Sequence, residues 1–178
     1  VTVIANSSTP SYQQINGALD YIYHLGTINQ GNNYEENGAN LEVNKTTGES
    51  ILPFINRSNS LTNPTELTNI AITTVDLIHE YMDGVGGWTI ALDTNIDPDF
   101  WDDGTGTLNT VTNNNFTIKR FYFFGQTAGT IVTYGQAEYS SLGLAEAAIF
   151  TEDPELDPIL GDAVFTTALI IQEGVTDI

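Results

Sequence analysis

The chain has no cysteine, few basic residues and no long apolar run, and each absence narrows what it can be. Without cysteine, neither disulfides nor thiolate metal sites can hold the fold. Only 4 Lys and Arg residues stand against 23 Asp and Glu, which gives a formal net charge of −19. Nucleic acid is therefore not expected as a partner, because phosphate binding needs clustered basic side chains. No run of about 18 apolar residues exists, so we expect no membrane insertion.

What is present is enough for a folded domain. The chain has 178 residues, 40% of them hydrophobic, which can supply a core. The acidity fits either adaptation to salty water or cation binding by some carboxylates. The first residues lack the basic flank of a signal peptide, and the chain begins without Met and stops at Ile178. We expect a piece of a longer protein.

The N-terminal part predicts one helix followed by loops. Apolar residues recur at helical spacing across residues 11–25, with Thr9 as a possible cap, Pro10 in the first turn and Gly26 as the stop. These apolar residues are Tyr12, Ile15, Leu19, Ile22 and Tyr23. Residues 27–50 are loop-rich, and only Leu41 and Val43 suggest a short strand, within a hairpin or a surface excursion.

A second helix is predicted after Asn63, which can cap it, with Pro64 at its first position and Glu66 able to reach back to the cap. Gly84 supplies its exit. The β-branched residues 72–75 weaken this prediction. The stripe that favours a helix comprises Leu67, Ile70, Ala71, Thr74, Ile78, Tyr81 and Met82.

Gly84, Gly86 and Gly87 mark the one candidate boundary, which divides the chain into residues 1–86 and residues 87–178. Beyond it the pattern is mainly that of strands: 88–92, then a pair at 116–124 and 130–139 joined by a turn at 125–129. Ser140 or Ser141 can cap a short helix with Leu142, Ala145 and Ile149 inward, and 163–171 is apolar enough for a central strand. The predicted fold class is α+β. A β-rich C-terminal module, with an antiparallel hairpin, a short helix and a closing strand, follows a helix-containing N-terminal region.

The strand predicted at 116–124 is aromatic on both faces near its end. Such a strand must be covered on both sides, either by the chain's own helix or by another subunit, which makes self-association an expectation. Lys119 and Arg120 lie side by side in it and should point to opposite faces, each pairing with a carboxylate, either within the chain or across a subunit contact. One face carries Phe116, Ile118, Arg120, Tyr122 and Phe124, and the other carries Thr117, Lys119, Phe121 and Phe123.

Candidate catalytic groups are sparse. His24 and His79 fall on two different predicted helices and are better explained as partly buried residues bonded to a neighbour. No Gly-x-Ser-x-Gly element positions a nucleophile. The carboxylate pairs at 102–103 and 152–153 could suggest glycoside hydrolysis, but pairs are common in so acidic a chain. We assign no catalytic, cofactor-binding or metal-binding residue and expect no enzyme.

The acidic loop at residues 93–104 is oxygen-rich, which is the composition of a Ca²⁺ loop. Its spacing is not that of an EF-hand, and the alternative is a pair of solvent-facing Asx turns. The sequence leaves this question open. The loop's acids are Asp93, Asp97, Asp99, Asp102 and Asp103. Nearby aromatic rings at Trp88, Phe100, Trp101 and Tyr139 could stack on sugars, although such rings more often belong to the core.

Residues 87–178 contain an ordered set of elements. A Trp precedes an Asp/Gly turn, and an Asn-rich connector, an aromatic strand with Arg, a Tyr-Gly-Gln element and an Ala-rich helix follow. This order resembles modules near the C-terminal side of tail-fibre and other appendage proteins of tailed bacteriophages. Gly143 departs from the pattern, since a better helix former is expected there. The residues that carry the resemblance are Trp101, Asp102, Asp103, Gly104, Gly106, Leu108, Asn113, Asn114, Phe116, Arg120, Phe121, Tyr122, Phe123, Tyr134, Gly135, Gln136, Tyr139, Ala145, Glu146, Ala147, Gly174, Thr176 and Asp177.

The resemblance implies a non-enzymatic structural component of the virion, located in a tail fibre, baseplate or head or neck fibre. It also implies a homo-oligomer, expected to be a trimer, that contacts other virion structural proteins and could contribute to host attachment through a surface glycan or protein. Two alternatives stay open. One is a secreted or cell-surface carbohydrate-binding adhesive domain, and the other is a small glycan-cleaving enzyme.

Overall fold

The structure, a computed structural model, describes residues 11–25, 27–51, 61–62, 65–124 and 129–178. The fold is β-rich, with several sheets and two α-helices, as an α+β class requires. The helices are α1 (Tyr12–Leu25) and α2 (Leu142–Ala148), and a 3₁₀ helix spans Pro158–Asp162. The strands are β1 (Ile28–Gly31), β2 (Tyr34–Glu36), β3 (Val43–Lys45), β4 (Gly48–Ile51), β5 (Glu66–Asn69), β6 (Leu77–Met82), β7 (Trp88–Asp93), β8 (Phe100–Asp102), β9 (Leu108–Thr110), β10 (Phe116–Phe124), β11 (Gly129–Thr133) and β12 (Val164–Gln172).

A mixed five-stranded sheet in the order β12-β10-β11-β6-β7 forms the centre of the molecule. Neighbouring strands are antiparallel except β11 and β6, which pair in parallel. A three-stranded sheet, β1-β4-β5, and the hairpin pairs β2-β3 and β8-β9 complete the structure. The predicted boundary after residue 86 falls in the β6–β7 turn, so the central sheet takes strands from both sides of it.

The aromatic strand β10 is buried on both faces, and the chain itself supplies both covers. On one face α2 packs Ala145 and Ala148 against Ile118. On the other face Phe121 joins a core with Val43, Val75, Leu77, Ile96, Val132 and Ile171. Successive side chains of a strand point to opposite sides, which is why one strand serves two cores. The aromatic content of β10 therefore does not itself require a second subunit.

The prediction of a helix after Asn63 was wrong. Asn63 and Pro64 themselves lie outside the described residues. Residues 66–69 and 77–82 form the strands β5 and β6 instead. β6 lies between β11 and β7, and its residues alternate between faces, with Leu77 in the Phe121 core and Ile78 against a separate cluster of Tyr122, Ile131 and Leu160. Pairing on both sides outweighs an apolar spacing that suits a helix, and the β-branched residues nearby favour this outcome.

The loop-rich segment also contains more strand than expected, since residues 28–51 form β1 to β4. Val43 is in a strand as predicted, whereas Leu41 only packs against the core. These strands are three or four residues long and mostly polar, so their sequence carries no clear alternation.

Three elements lie close to their predicted positions. Helix α1 is confirmed, and its start is a reciprocal cap: Ser11 Oγ accepts from Gln14 N at 3.2 Å while Ser11 N donates to Gln14 Oε1 at 2.8 Å. The predicted cap Thr9, Pro10 and the stop at Gly26 lie outside the described residues. The strands at 88–92 and 116–124 are confirmed as β7 and β10. The partner of β10 ends at Thr133, earlier than predicted, and the turn at 125–128 is also outside the described residues.

Two details near the C-terminus differ from prediction. Helix α2 is capped by Ser141, whose side chain accepts from Leu144 N, and Ala145 is buried, but Leu142 is 48% exposed rather than inward. The helix has only seven residues, so its first turn extends past the sheet. β12 is apolar yet occupies the edge of the central sheet, because β10 already has β11 on its other side.

Gly135 is a position where only hydrogen fits. A Cβ built there would contact the Thr117 hydroxyl and lie 2.7 Å from the Ile118 carbonyl oxygen. Gly143, by contrast, lies within α2 with open space around it. The two glycines are a matched pair for testing the packing beside β10.

We expect Gly135→Ala to lower the free energy of unfolding by about 1 to 3 kcal/mol, since the new methyl group overpacks a backbone contact. Gly143→Ala should raise it by up to about 1 kcal/mol through helix propensity. Chemical denaturation of both variants would check this, and a neutral Gly135→Ala would contradict the packing described here.

Candidate functional site

Three of the four basic residues of this acidic protein lie in its described part, and all three are buried. Lys45, Lys119 and Arg120 lie in the described part of the chain and are 1%, 1% and 5% exposed. The described surface therefore carries only negative charge. Buried charges must be paired or hydrogen-bonded to be tolerated, so the contacts of these residues define the polar interior.

Lys119 extends from β10 towards the β8 end of the acidic loop. Its ammonium group donates a 2.6 Å hydrogen bond to the Phe100 carbonyl oxygen and lies 3.9 Å from the centroid of the Tyr134 ring. The Tyr134 hydroxyl donates to Asp97 Oδ2 at 3.0 Å. Burial lowers the pKa of Lys119 to about 7, while Asp97 and Asp99 oppose the shift. A carbonyl, a ring and nearby carboxylates thus hold this amine.

Arg120 extends from the opposite face and pairs with Glu152 just after α2, with 2.6 Å between Nη2 and Oε2. The predicted pairing of this cation with a carboxylate is confirmed, and the partner belongs to the same chain. Both side chains are largely withdrawn from water. The ion pair fixes the end of α2 against the sheet.

Glu80 lies on the same face as Arg120, two strands away, since Thr133 is in register with both residues. Burial, together with the charge of Asp157 and a hydrogen bond to it, raises the pKa of Glu80 to about 7. Two carboxyl groups share a hydrogen bond only when one of them holds a proton. Asp157 also accepts from Ile159 N at 2.8 Å, so this acid pair attaches the start of the 3₁₀ helix to the sheet.

Lys45 is the third buried cation among the described residues. Its ammonium group donates to Asn32 Oδ1 at 2.9 Å and to the carbonyl oxygen of Ile70 at 3.1 Å, and it lies 5.2 Å from the Phe123 ring centroid. Burial lowers its pKa. This residue connects the segments beside the three-stranded sheet to the central sheet.

The acidic loop at 93–104 contains three Asx-type turns, as one alternative expected, but they do not all face solvent, since Asp102 is buried at the end of β8. Asp93 Oδ1 accepts from Asn95 N, Asp97 Oδ1 from Asp99 N, and Asp102 Oδ1 from Gly104 N. Backbone hydrogen bonds lower the pKa of Asp93, and the side chain and backbone of Thr105 lower that of Asp103. Across the described residues, no three His, Asp or Glu side chains are grouped as metal ligands would be.

The histidine prediction is confirmed in part. His79 is buried and its Nε2 lies 2.9 Å from the Asn95 carbonyl oxygen, as expected of a histidine bonded to a neighbour. It lies on strand β6, not on a helix, and burial lowers its pKa. His24 lies in α1, but its side chain is outside the described part.

The two carboxylate pairs are each tied into the fold. Asp102 is buried and its Oδ2 accepts from Met82 N at 2.8 Å, while Glu152 is bound to Arg120. Of the aromatic rings considered for sugar stacking, Trp88, Trp101 and Tyr139 are half-buried and Phe100 is 37% exposed.

One surface pocket contains such a ring. It has a volume of about 190 Å³ and lies between the β6–β7 turn and the β8–β9 turn. Gly84 and Gly106, with φ of 75° and 90°, pack backbone to backbone, so that a side chain at either would collide with the opposite turn. The pocket is lined by Met82, Gly84, Gly86, Gly87, Trp88, Gly104 and Glu155.

The sequence did not single out Glu80, Asp157 or Lys45. Their role depends on how distant segments pack, because Ile70 is 25 residues from Lys45 and Asp157 is 77 residues from Glu80 in the chain. The small number of basic residues was the one signal in the sequence, because a chain with so few cations can be expected to use them in its interior.

Comparison with protein-family models, with curated proteins and with solved structures finds no match for this chain. No helix among the described residues is long and apolar enough to cross a membrane. Assignment of a function therefore depends on the residues and geometry given above.

The Glu80 carboxyl should make stability depend on pH. Its pKa rises from 4.5 unfolded to about 7 folded, so the folded state holds a proton that the unfolded state releases, and stability falls as pH rises through this window. Glu80→Gln should remove that fall. Urea denaturation between pH 4.5 and 8 would show it, with the exposed Glu146→Gln as control. Parallel curves for the native protein and Glu80→Gln would contradict the acid pair.

Lys119 should act in the opposite direction at higher pH. Its pKa is 10.5 unfolded and about 7 folded, so the unfolded state binds more protons between these values and stability rises with pH. We expect Lys119→Met to lose this rise when unfolding is measured from pH 7 to 9.5. If the variant retains the same rise, Lys119 is not its source.

Proposed function

We propose that the chain is a structural, non-enzymatic component of a bacteriophage virion appendage: a tail fibre, a baseplate or a head or neck fibre. In this proposal it assembles as a homo-oligomer, expected to be a trimer, contacts other virion structural proteins and can contribute to attachment to a host glycan or protein. The finer fold description, an appendage-type module over residues 87–178, belongs to the same proposal.

The observation that supports it is the role of the residues that carry the resemblance. Asp102 N donates to the Gly135 carbonyl oxygen at 2.9 Å, which joins the β8–β9 hairpin to the end of β11. Phe116 and Tyr139 exchange two backbone hydrogen bonds of 2.8 Å, and Ala145 packs beneath β10. These residues connect one structural element to another. We expect this of a sequence pattern that identifies a fold, not of one that identifies a reaction.

The charge distribution is consistent with this role. Buried cations and an acidic described surface suit a soluble particle that does not bind nucleic acid. Of the carboxylate pairs that could suggest glycan cleavage, Asp102 already accepts a structural hydrogen bond and Glu152 is already in an ion pair. A structural part of a virion needs a stable shape and surfaces that contact its neighbours. The buried cations and the acidic surface are consistent with both requirements.

The pocket beside Trp88 favours the alternative, a secreted or cell-surface carbohydrate-binding domain. Sugars bind proteins by stacking on aromatic rings and by hydrogen bonds to acidic side chains, and this pocket offers the Trp88 indole and Glu155 between rigid turns. Glu155 is itself held, because its N and O bond to the Gln136 side chain at 2.8 and 2.6 Å. A host-binding appendage could use the same pocket.

Light scattering and a glycan array would test the two proposals together. An appendage module should form a stable oligomer, whereas an adhesive domain should be a monomer that binds glycans. If a glycan binds, Trp88→Ala should weaken it roughly ten-fold through loss of stacking, while Trp101→Ala serves as an aromatic control outside the pocket. A monomeric, glycan-binding chain would overturn the appendage proposal.

A further inference from the structure

Helix α1 has an apolar stripe that the described residues of the chain do not cover. All side chains from Tyr12 to Ile22 are exposed, including Ile15 at 46%, Leu19 at 43% and Ile22 at 38%. An amphipathic helix in a folded domain normally buries that stripe against the core. In α1 the stripe is exposed among the described residues, so it is free to pack against a partner.

The spacing of the stripe identifies the kind of cover. Tyr12, Ile15, Leu19 and Ile22 are separated by three, four and three residues, which places them at positions a, d, a and d of a heptad. Tyr23, the fifth residue of the stripe, lies beside this seam at position e. A coiled coil needs apolar residues at positions a and d, and all four of these positions in α1 are apolar or aromatic. The seam therefore fits another helix with the same repeat.

Charge favours further copies of this chain as that partner. The 14 residues of α1 include one acid, Asp20, at an outward position of the heptad, although the chain as a whole has a net charge of −19. Copies can thus approach through α1 with less repulsion than through the rest of the described surface. Leu at position a with Ile at position d favours assemblies of three or four helices over two.

We propose that α1 joins copies of this chain in a short coiled coil of three or four helices, with Ile15, Leu19 and Ile22 in its seam. This inference rests on the proposed role as an oligomeric structural part, because it names the surface through which the copies assemble. Gly17, at the outermost heptad position with open space around it, does not enter the seam.

The test is sedimentation equilibrium with four versions of the full chain. The double variant Ile15→Gln/Leu19→Gln keeps helix propensity and charge but removes two seam contacts, and should weaken association about a hundred-fold or more. Tyr21→Gln is the matched control, since Tyr21 is 67% exposed outside the seam, and should leave association unchanged. Gly17→Ala should tighten association roughly four- to five-fold per helix through propensity.

Salt provides an independent readout. Because each copy carries a net charge of −19, raising NaCl from 20 to about 300 mM should strengthen association of the native chain by screening repulsion. The β-sheet unfolding transition of the double variant should stay in place, which would show that only assembly is affected.

The outcomes separate this inference from the proposed function. A native chain that is monomeric at every concentration overturns both. An oligomer that persists in the double variant overturns the α1 seam alone and leaves the structural role standing. Dissociation by the double variant but not by Tyr21→Gln supports the seam.

Discussion

The fold depends on one constraint: β10 places two adjacent cations, Lys119 and Arg120, on opposite faces of the same buried strand. An uncompensated charge in a protein interior is strongly destabilising, so each face needs a cover that brings acceptors with it. The acidic loop and the Phe100 carbonyl supply them on one side, and Glu152 after α2 supplies them on the other. The two covering layers are thus selected by polar contacts as well as by apolar packing.

This arrangement separates the charges of the molecule. The cations of the described residues are inside, and the described surface is left with acids that repel any second copy. Self-association is then limited to surfaces that are nearly free of charge. Helix α1 is such a surface, with one acid among 14 residues. The chain itself covers both faces of the aromatic strand β10, whose sequence suggested self-association. The expectation of assembly therefore rests on α1 and not on β10.

Local signals predicted the elements that local interactions determine. The stripe of α1, the alternation along β10 and the Ser141 cap of α2 all appear in the sequence and in the structure. The elements that failed depend on distant partners. Residues 77–82 have an apolar spacing compatible with a helix, but pairing with β11 and β7 makes them a strand, and β12 is at the edge only because of the sheet order. In the site, the Asx turns were foreseeable from Asp spacing, whereas the Glu80–Asp157 pair joins a strand to the cap of a 3₁₀ helix that is distant in the chain.

Residues that build a fold identify an architecture, and one architecture can serve several functions. The contacts of Asp102, Gly135 and Tyr139 are of this kind, so they cannot by themselves separate a fibre component from a sugar-binding domain. The surfaces can separate them, because the two functions use different residues. The proposed assembly uses the seam of α1, while the proposed sugar binding uses Trp88 between two rigid glycine turns. Since neither set of side chains belongs to the central core, each can be substituted without loss of the fold that supports the other.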